Sequence, residues 1–99
     1  MFEGQPVDLR MTEMILEEGF FDDTTYHGEV YSYDEKKEVM YIEVKEVLPL
    51  FSLDAVYECS VVNDEGQIQV CEGEIEERFW SKDKNFILFL VQKGFYKNC

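Results

Sequence analysis

Apolar and polar residues alternate along most of this chain, most densely between Ile68 and Gln92. An alternating segment there passes through a short, Lys-containing polar turn into the apolar run Phe86-Ile87-Leu88-Phe89-Leu90-Val91. A period of two places successive side chains on opposite faces of a strand, and a run without polar interruption can be covered on both faces. These two segments predict the central hairpin of a small β-barrel, onto which the earlier strands fold.

The preceding chain supplies those strands. Thr25 to Tyr33 reads as one, and a polar turn from Asp34 to Lys37 joins it to a second, Glu38 to Glu46. In the second, Met40, Ile42 and Val44 share one face, while Val39, Tyr41, Glu43 and Lys45 share the other. Leu48-Pro49-Leu50-Phe51 breaks the alternation, and Pro49 has no N–H for a ladder, so a crossover loop is expected there. A third strand runs from about Asp54 to Val62. It turns at Asn63-Asp64-Glu65-Gly66, where Asn suits the start of a type I turn and Gly the left-handed residue of a bulge. That turn sets the register: Val61 faces Gln69, Cys59 faces Cys71, and Tyr57 faces Gly73, which leaves room for its ring. On the opposite side Glu58 would meet Glu72, which needs water, so the Cys59 face is the expected interior.

Gly28-Glu29-Val30 and Gly73-Glu74-Ile75 form a weak internal echo, each followed by aromatic residues, a turn and an apolar strand. Glycine inside a strand marks a bend or a close backbone approach. The fold class expected is therefore mainly β: a single domain over residues 1–99, built as a closed or split antiparallel barrel of five or six strands. Residues 1–19 are expected to form an N-terminal arm, 20–96 the barrel and 97–99 a tail. In the arm, Val7, Met11, Met14, Ile15 and Glu18 follow helical spacing between Pro6 and Gly19, whereas Val7, Leu9 and Met11 also alternate as a strand would. A short helix over about Thr12 to Glu18, acting as a lid on the barrel, is expected, with a strand competing over its first turn.

Composition narrows function more than it names it. The 99 residues are 45% hydrophobic and 15% aromatic, which fits a folded globule. Nine Lys and Arg stand against 22 Asp and Glu, a formal charge of −13. A phosphate-backbone binder needs a basic stripe, so no direct nucleic-acid binding is expected. The acidity reads either as a solvated surface or as a decoy that imitates nucleic-acid phosphates. No stretch has the ~18 apolar residues of a spanning helix, so no membrane insertion is expected. The N-terminus shows no secretory pattern, and three cysteines do not suggest a disulfide scaffold, so a cytoplasmic location is expected.

Candidate chemistry is sparse. His27 is the only histidine, on a strand face with Glu29, Tyr31 and Tyr33, and reads as a surface or rim residue. Cys59 and Cys71 admit three readings: two reduced core thiols, a cross-strand disulfide, or half of a zinc site with no good second half. Glu72, Glu74, Glu76 and Glu77 read as a solvated outer face rather than a cation site. No catalytic set, metal or cofactor is expected. Phe79 and Trp80 beside the last turn are either a partner surface or a plug at the barrel mouth. With Tyr31 and Tyr33 they are the candidate partner-binding residues.

The succession Gly19, Tyr26-His27-Gly28-Glu29-Val30, Leu48-Pro49-Leu50, Val56-Tyr57-Glu58-Cys59-Ser60-Val61 and Gly73-Glu74-Ile75 resembles the bacterial PilZ-type split barrel. It is most similar to the companion barrel that precedes the PilZ domain in flagellar brake proteins. Nucleotide-binding PilZ domains carry Arg-x-x-x-Arg and a later Asp-x-Ser-x-x-Gly. Here the only arginines are Arg10 and Arg78, and no Asp-x-Ser occurs. Arginine grips phosphate in a way lysine does not replace. The resemblance thus implies a barrel that does not bind cyclic di-GMP in the usual way. The expectation is a non-enzymatic adaptor that binds a protein partner, with the acidic phage-type decoy as the alternative.

Overall fold

The computed structural model describes residues 3–14, 24–46, 53 and 55–97. They form six strands: β1 (Pro6–Met14), β2 (Thr25–Asp34), β3 (Val39–Val44), β4 (Ala55–Val62), β5 (Ile68–Ser81) and β6 (Lys84–Lys97). All neighbours are antiparallel, and the sheet closes on itself in the order β1-β2-β3-β6-β5-β4. Closure removes free sheet edges, which is how a small all-β chain avoids edge-to-edge association. Among the described residues no helix is long and apolar enough to cross a membrane.

The order is that of two three-strand meanders. β1-β2-β3 and β4-β5-β6 join twice, through β1 with β4 and through β3 with β6. Because β3 and β4 are not neighbours, the connection between them is the crossover. The residues expected to form it, Leu48 to Phe51, lie outside the described ones.

Strict alternation builds the interior. Strand β4 reads buried, half-buried along its whole length, with Ala55, Tyr57, Cys59 and Val61 inside. β3 contributes Met40, Ile42 and Val44, and β6 contributes Ile87, Phe89 and Val91. The register of β4 with β5 is the one the Asn63 turn dictates: Val61 with Gln69, Cys59 with Cys71, Tyr57 with Gly73 and Glu58 with Glu72. Asn63 Oδ1 accepts hydrogen bonds from the N–H groups of Glu65 (3.0 Å) and Gln67 (2.9 Å), and Gly66 takes the left-handed conformation with φ 80°. Outside, Arg10 donates to Glu58 at 3.0 Å and relieves the facing carboxylates.

The N-terminal segment differs from the expected arm and lid. Pro6–Met14 is a strand integral to the barrel, with Val7, Leu9 and Met11 buried; Val7 and Leu9 pair with both β2 and β4, and Met11 pairs with β4. Thr12 to Met14, the start of the expected helix, end this strand, and Ile15 to Glu18 lie outside the described residues. Backbone pairing with neighbouring strands outweighs a marginal helical periodicity. Glu3 to Gln5 are tied to β2: Gly4 N–H donates to Val30 at 2.8 Å, and Val30 N–H donates to Gln5 at 3.0 Å.

Candidate functional site

Two β-bulges decide which aromatic residues face outward. The β2–β3 register shifts between Val30 and Ser32, and the β5–β6 register shifts between Ile75 and Glu77. One extra residue in a strand sends every later side chain to the other face. Tyr31 sits at the first bulge and stays outside, 66% exposed. Tyr33, two residues on, falls opposite the buried Met40 and packs against the core. It therefore does not share the outer face with Glu29 and Tyr31, as unbroken alternation would have it. Burial, followed by the negative charges of Glu35 and Glu38, raises its phenol above the ordinary tyrosine range. The second bulge acts in reverse: it turns Glu77 and Phe79 outward, beside Leu88 and Phe86.

The outer face of β2, β3, β6 and β5 consequently carries a connected aromatic patch. Phe79 and Phe86 lie opposite each other and stack with ring centroids 5.4 Å apart and planes 13° from parallel. Tyr31 meets Phe86 edge-on at 5.4 Å, and Tyr41 meets Phe79 edge-on at 6.5 Å. Offset-stacked and edge-to-face geometries are the favourable ones for aromatic quadrupoles. The rings wall a shallow cleft of about 260 Å³, with Ser32 and Ser81 at its margins. Leu88 and Leu90 continue the outward side of β6, half-buried, next to Tyr41 and Val39. The apolar run on β6 thus fills the core with one face and leaves the other partly uncovered.

Of the four residues singled out from sequence, the fold brings Tyr31 and Phe79 together through Phe86. Trp80 follows Phe79 in the strand, pairs with Asn85 and borders a second cleft of about 190 Å³, which shares Phe79 and Phe86 with the first and adds Arg78, Val44 and Ile87. Trp80 is 62% exposed. Sequence reading missed Tyr41 and Phe86. The outward phase of Tyr41 was visible in the alternation of β3, but Phe86 was hidden in a run without polar residues.

Polar candidates assemble less. His27 lies opposite Asp8, and its Nδ1 is 2.7 Å from Asp8 Oδ1, with both side chains more than half exposed. Ser60 flanks Asp8 on the other side, in β4. The order across the sheet is Ser60, Asp8, His27, so the carboxylate separates hydroxyl from imidazole. A nucleophile–base pair needs the opposite arrangement, with the histidine against the hydroxyl. Cys59 and Cys71 are unbonded thiols in the core. The hydrogen bond between them and complete burial hold the Cys59 thiol well above its ordinary pKa, the reverse of what a reactive cysteine requires. Among the described residues no cluster of three or more His, Cys, Asp or Glu could hold a metal ion.

Comparison of the chain with protein-family models, with characterised proteins and with solved structures returns no match.

Proposed function

We propose that this chain is a non-enzymatic module that binds another protein through the outer face of β2, β3, β6 and β5. The observation that carries the reading is the patch of Tyr31, Tyr41, Phe79 and Phe86, in which aromatic rings are held together by strand pairing yet left partly open to water. Exposed apolar clusters with a polar rim are characteristic of protein interfaces, and aromatic side chains dominate their binding energy. We read the chain, on its similarity in sequence pattern to the companion barrels of PilZ proteins, as a signalling-type adaptor without the cyclic di-GMP motifs. The unbonded core thiols support placing it in a reducing cytoplasm. A decoy for nucleic acid would need its carboxylates gathered on one face. Here they stand outward on several strands, as Asp8, Glu29, Glu58 and Glu72 do, so the docking reading is preferred.

The test is affinity capture from nuclease-treated extract with the wild-type chain and with Tyr31→Ala, Tyr41→Ala and Phe79→Ala, each checked for unchanged melting. Capture of a protein by the wild type that falls about tenfold or more in the variants supports the face. Undiminished capture by all three overturns it.

A further inference from the structure

Resting on that docking reading, we propose that the aromatic cleft takes a cationic side chain, an arginine or lysine, presented by a basic partner protein. The faces of the rings lining the cleft carry negative quadrupole, and a cation placed over such a face is attracted to it. Tyr31, Phe86, Phe79 and Tyr41 supply four rings from four different strands around one depression. Ser32 and Ser81 add hydroxyls at the margin, where an entering ammonium or guanidinium would otherwise lose water without replacement.

The charges beside the cleft point the same way. Glu43 lies directly opposite Phe86 in the β3–β6 ladder, and Glu29 lies directly opposite Glu43 in the β2–β3 ladder. Facing like charges cost stability in a sheet unless a cation offsets them. Lys84 meets Glu43 at 3.1 Å. The adjoining cleft as a whole sets Glu29, Glu43 and Asp83 against Lys45 and Lys84, so it stays net negative. The formal charge of −13 extends that field over the whole molecule and steers positive partners toward it.

The same charge excludes the other occupants. A second copy would bring another −13 and the same acidic margin against this face. Nucleic acid and anionic lipid surfaces would be repelled as well. A wholly apolar segment would fit Leu88 and Leu90 but would take Glu29 and the Glu43–Lys84 pair out of water with nothing to replace it.

The probe is acetyl-tetra-arginine amide, titrated into the full chain at low salt and read from the ring resonances of Tyr31, Tyr41, Phe79 and Phe86. The control is the same peptide with citrulline, which keeps the planar head and removes its charge. Saturable shifts confined to these rings, with citrulline at least about tenfold weaker, are expected for a charged head on an aromatic face. Phe79→Leu and Tyr31→Leu keep charge and apolar area while removing a ring, and should weaken arginine binding about fivefold together. Should the double variant fail to fold, Tyr31→Leu alone suffices, since Tyr31 is the most exposed of the four. Equal binding by the leucine variants would mean that a polycation is held by net charge anywhere on the surface, and would overturn the proposal. Equal binding of citrulline would overturn it too, yet leave protein docking standing, because docking fails only if the alanine variants keep wild-type capture.

Discussion

Gly28 and Gly73 occupy equivalent positions in the two meanders, each in the middle strand and each paired with a buried valine, Val44 and Val91. Each is followed by Glu and a buried β-branched residue, and then by a bulge one position later. The reason for glycine is proximity: a Cβ on Gly73 would collide with the Leu90 carbonyl oxygen and crowd the Phe89 ring, and one on Gly28 would collide with the Glu43 carbonyl oxygen. Backbone cannot yield as a side chain does. Gly73→Ala should therefore destabilise the barrel by about 2–3 kcal/mol, the upper range for overpacking in a core. The midpoint of urea unfolding measures it, and an unchanged midpoint would contradict the close approach.

The β5–β6 hairpin turns through Lys82 and Asp83, both left-handed with φ 51° and 64°. Two such residues form the turn type whose twist matches the strands, but only Asn, Asp and Gly adopt it cheaply. Lys82 is the misfit. Replacing the pair by Asn-Gly should raise stability by about 1 kcal/mol and leave the fold unchanged. A loss of stability on thermal unfolding would count against the assigned turn.

The opposite hairpin shows what sequence made legible. Asn63 and Gly66 named both the turn and its register, because that geometry is local and its residues have few alternatives. From register followed the facing thiols and the interior side of β4. Alternation likewise placed Met40, Ile42 and Val44 inside. The bulges at Tyr31 and before Glu77 left no such mark, since a bulge without glycine depends on the neighbouring strand. Tyr33 was therefore placed on the wrong face, and the outward turn of Phe79 toward Phe86 could not be seen. For β1, Val7 and Met11 satisfy helix and strand periods alike. Pairing with β2 and β4 decided between them, which is tertiary information.

Asn63 also invites a direct measurement. Its side-chain oxygen accepts from two backbone N–H groups, and Gly66 N–H donates to its carbonyl at 3.0 Å. Asn63→Ala removes the first two bonds and keeps the third. The expected cost is about 1 kcal/mol, with faster amide hydrogen exchange at Glu65 and Gln67. Unchanged protection at Gln67 would mean that the side chain does not hold the turn.

Alkaline pH should weaken the fold through Cys59. In the unfolded chain its thiol ionises near pH 8.5, the ordinary cysteine value. In the folded barrel the Cys71 hydrogen bond and burial hold the proton to much higher pH. Between these limits the unfolded state binds fewer protons than the native one, so stability falls as pH rises, by up to about 1.4 kcal/mol per unit for one proton. The contribution is fully present below pH ~8 and declines above it. Tyr33 would add a similar decline above the ordinary tyrosine range near pH 10, so the informative window lies below that. Urea unfolding between pH 7.5 and 9.5 should give a falling stability for the wild type and a flatter profile for Cys59→Ala. The comparison rests on slope, because the cavity left by the substitution lowers stability at every pH alike. Parallel slopes for the two proteins would show that the Cys59 proton is no more firmly held in the barrel than in the unfolded chain.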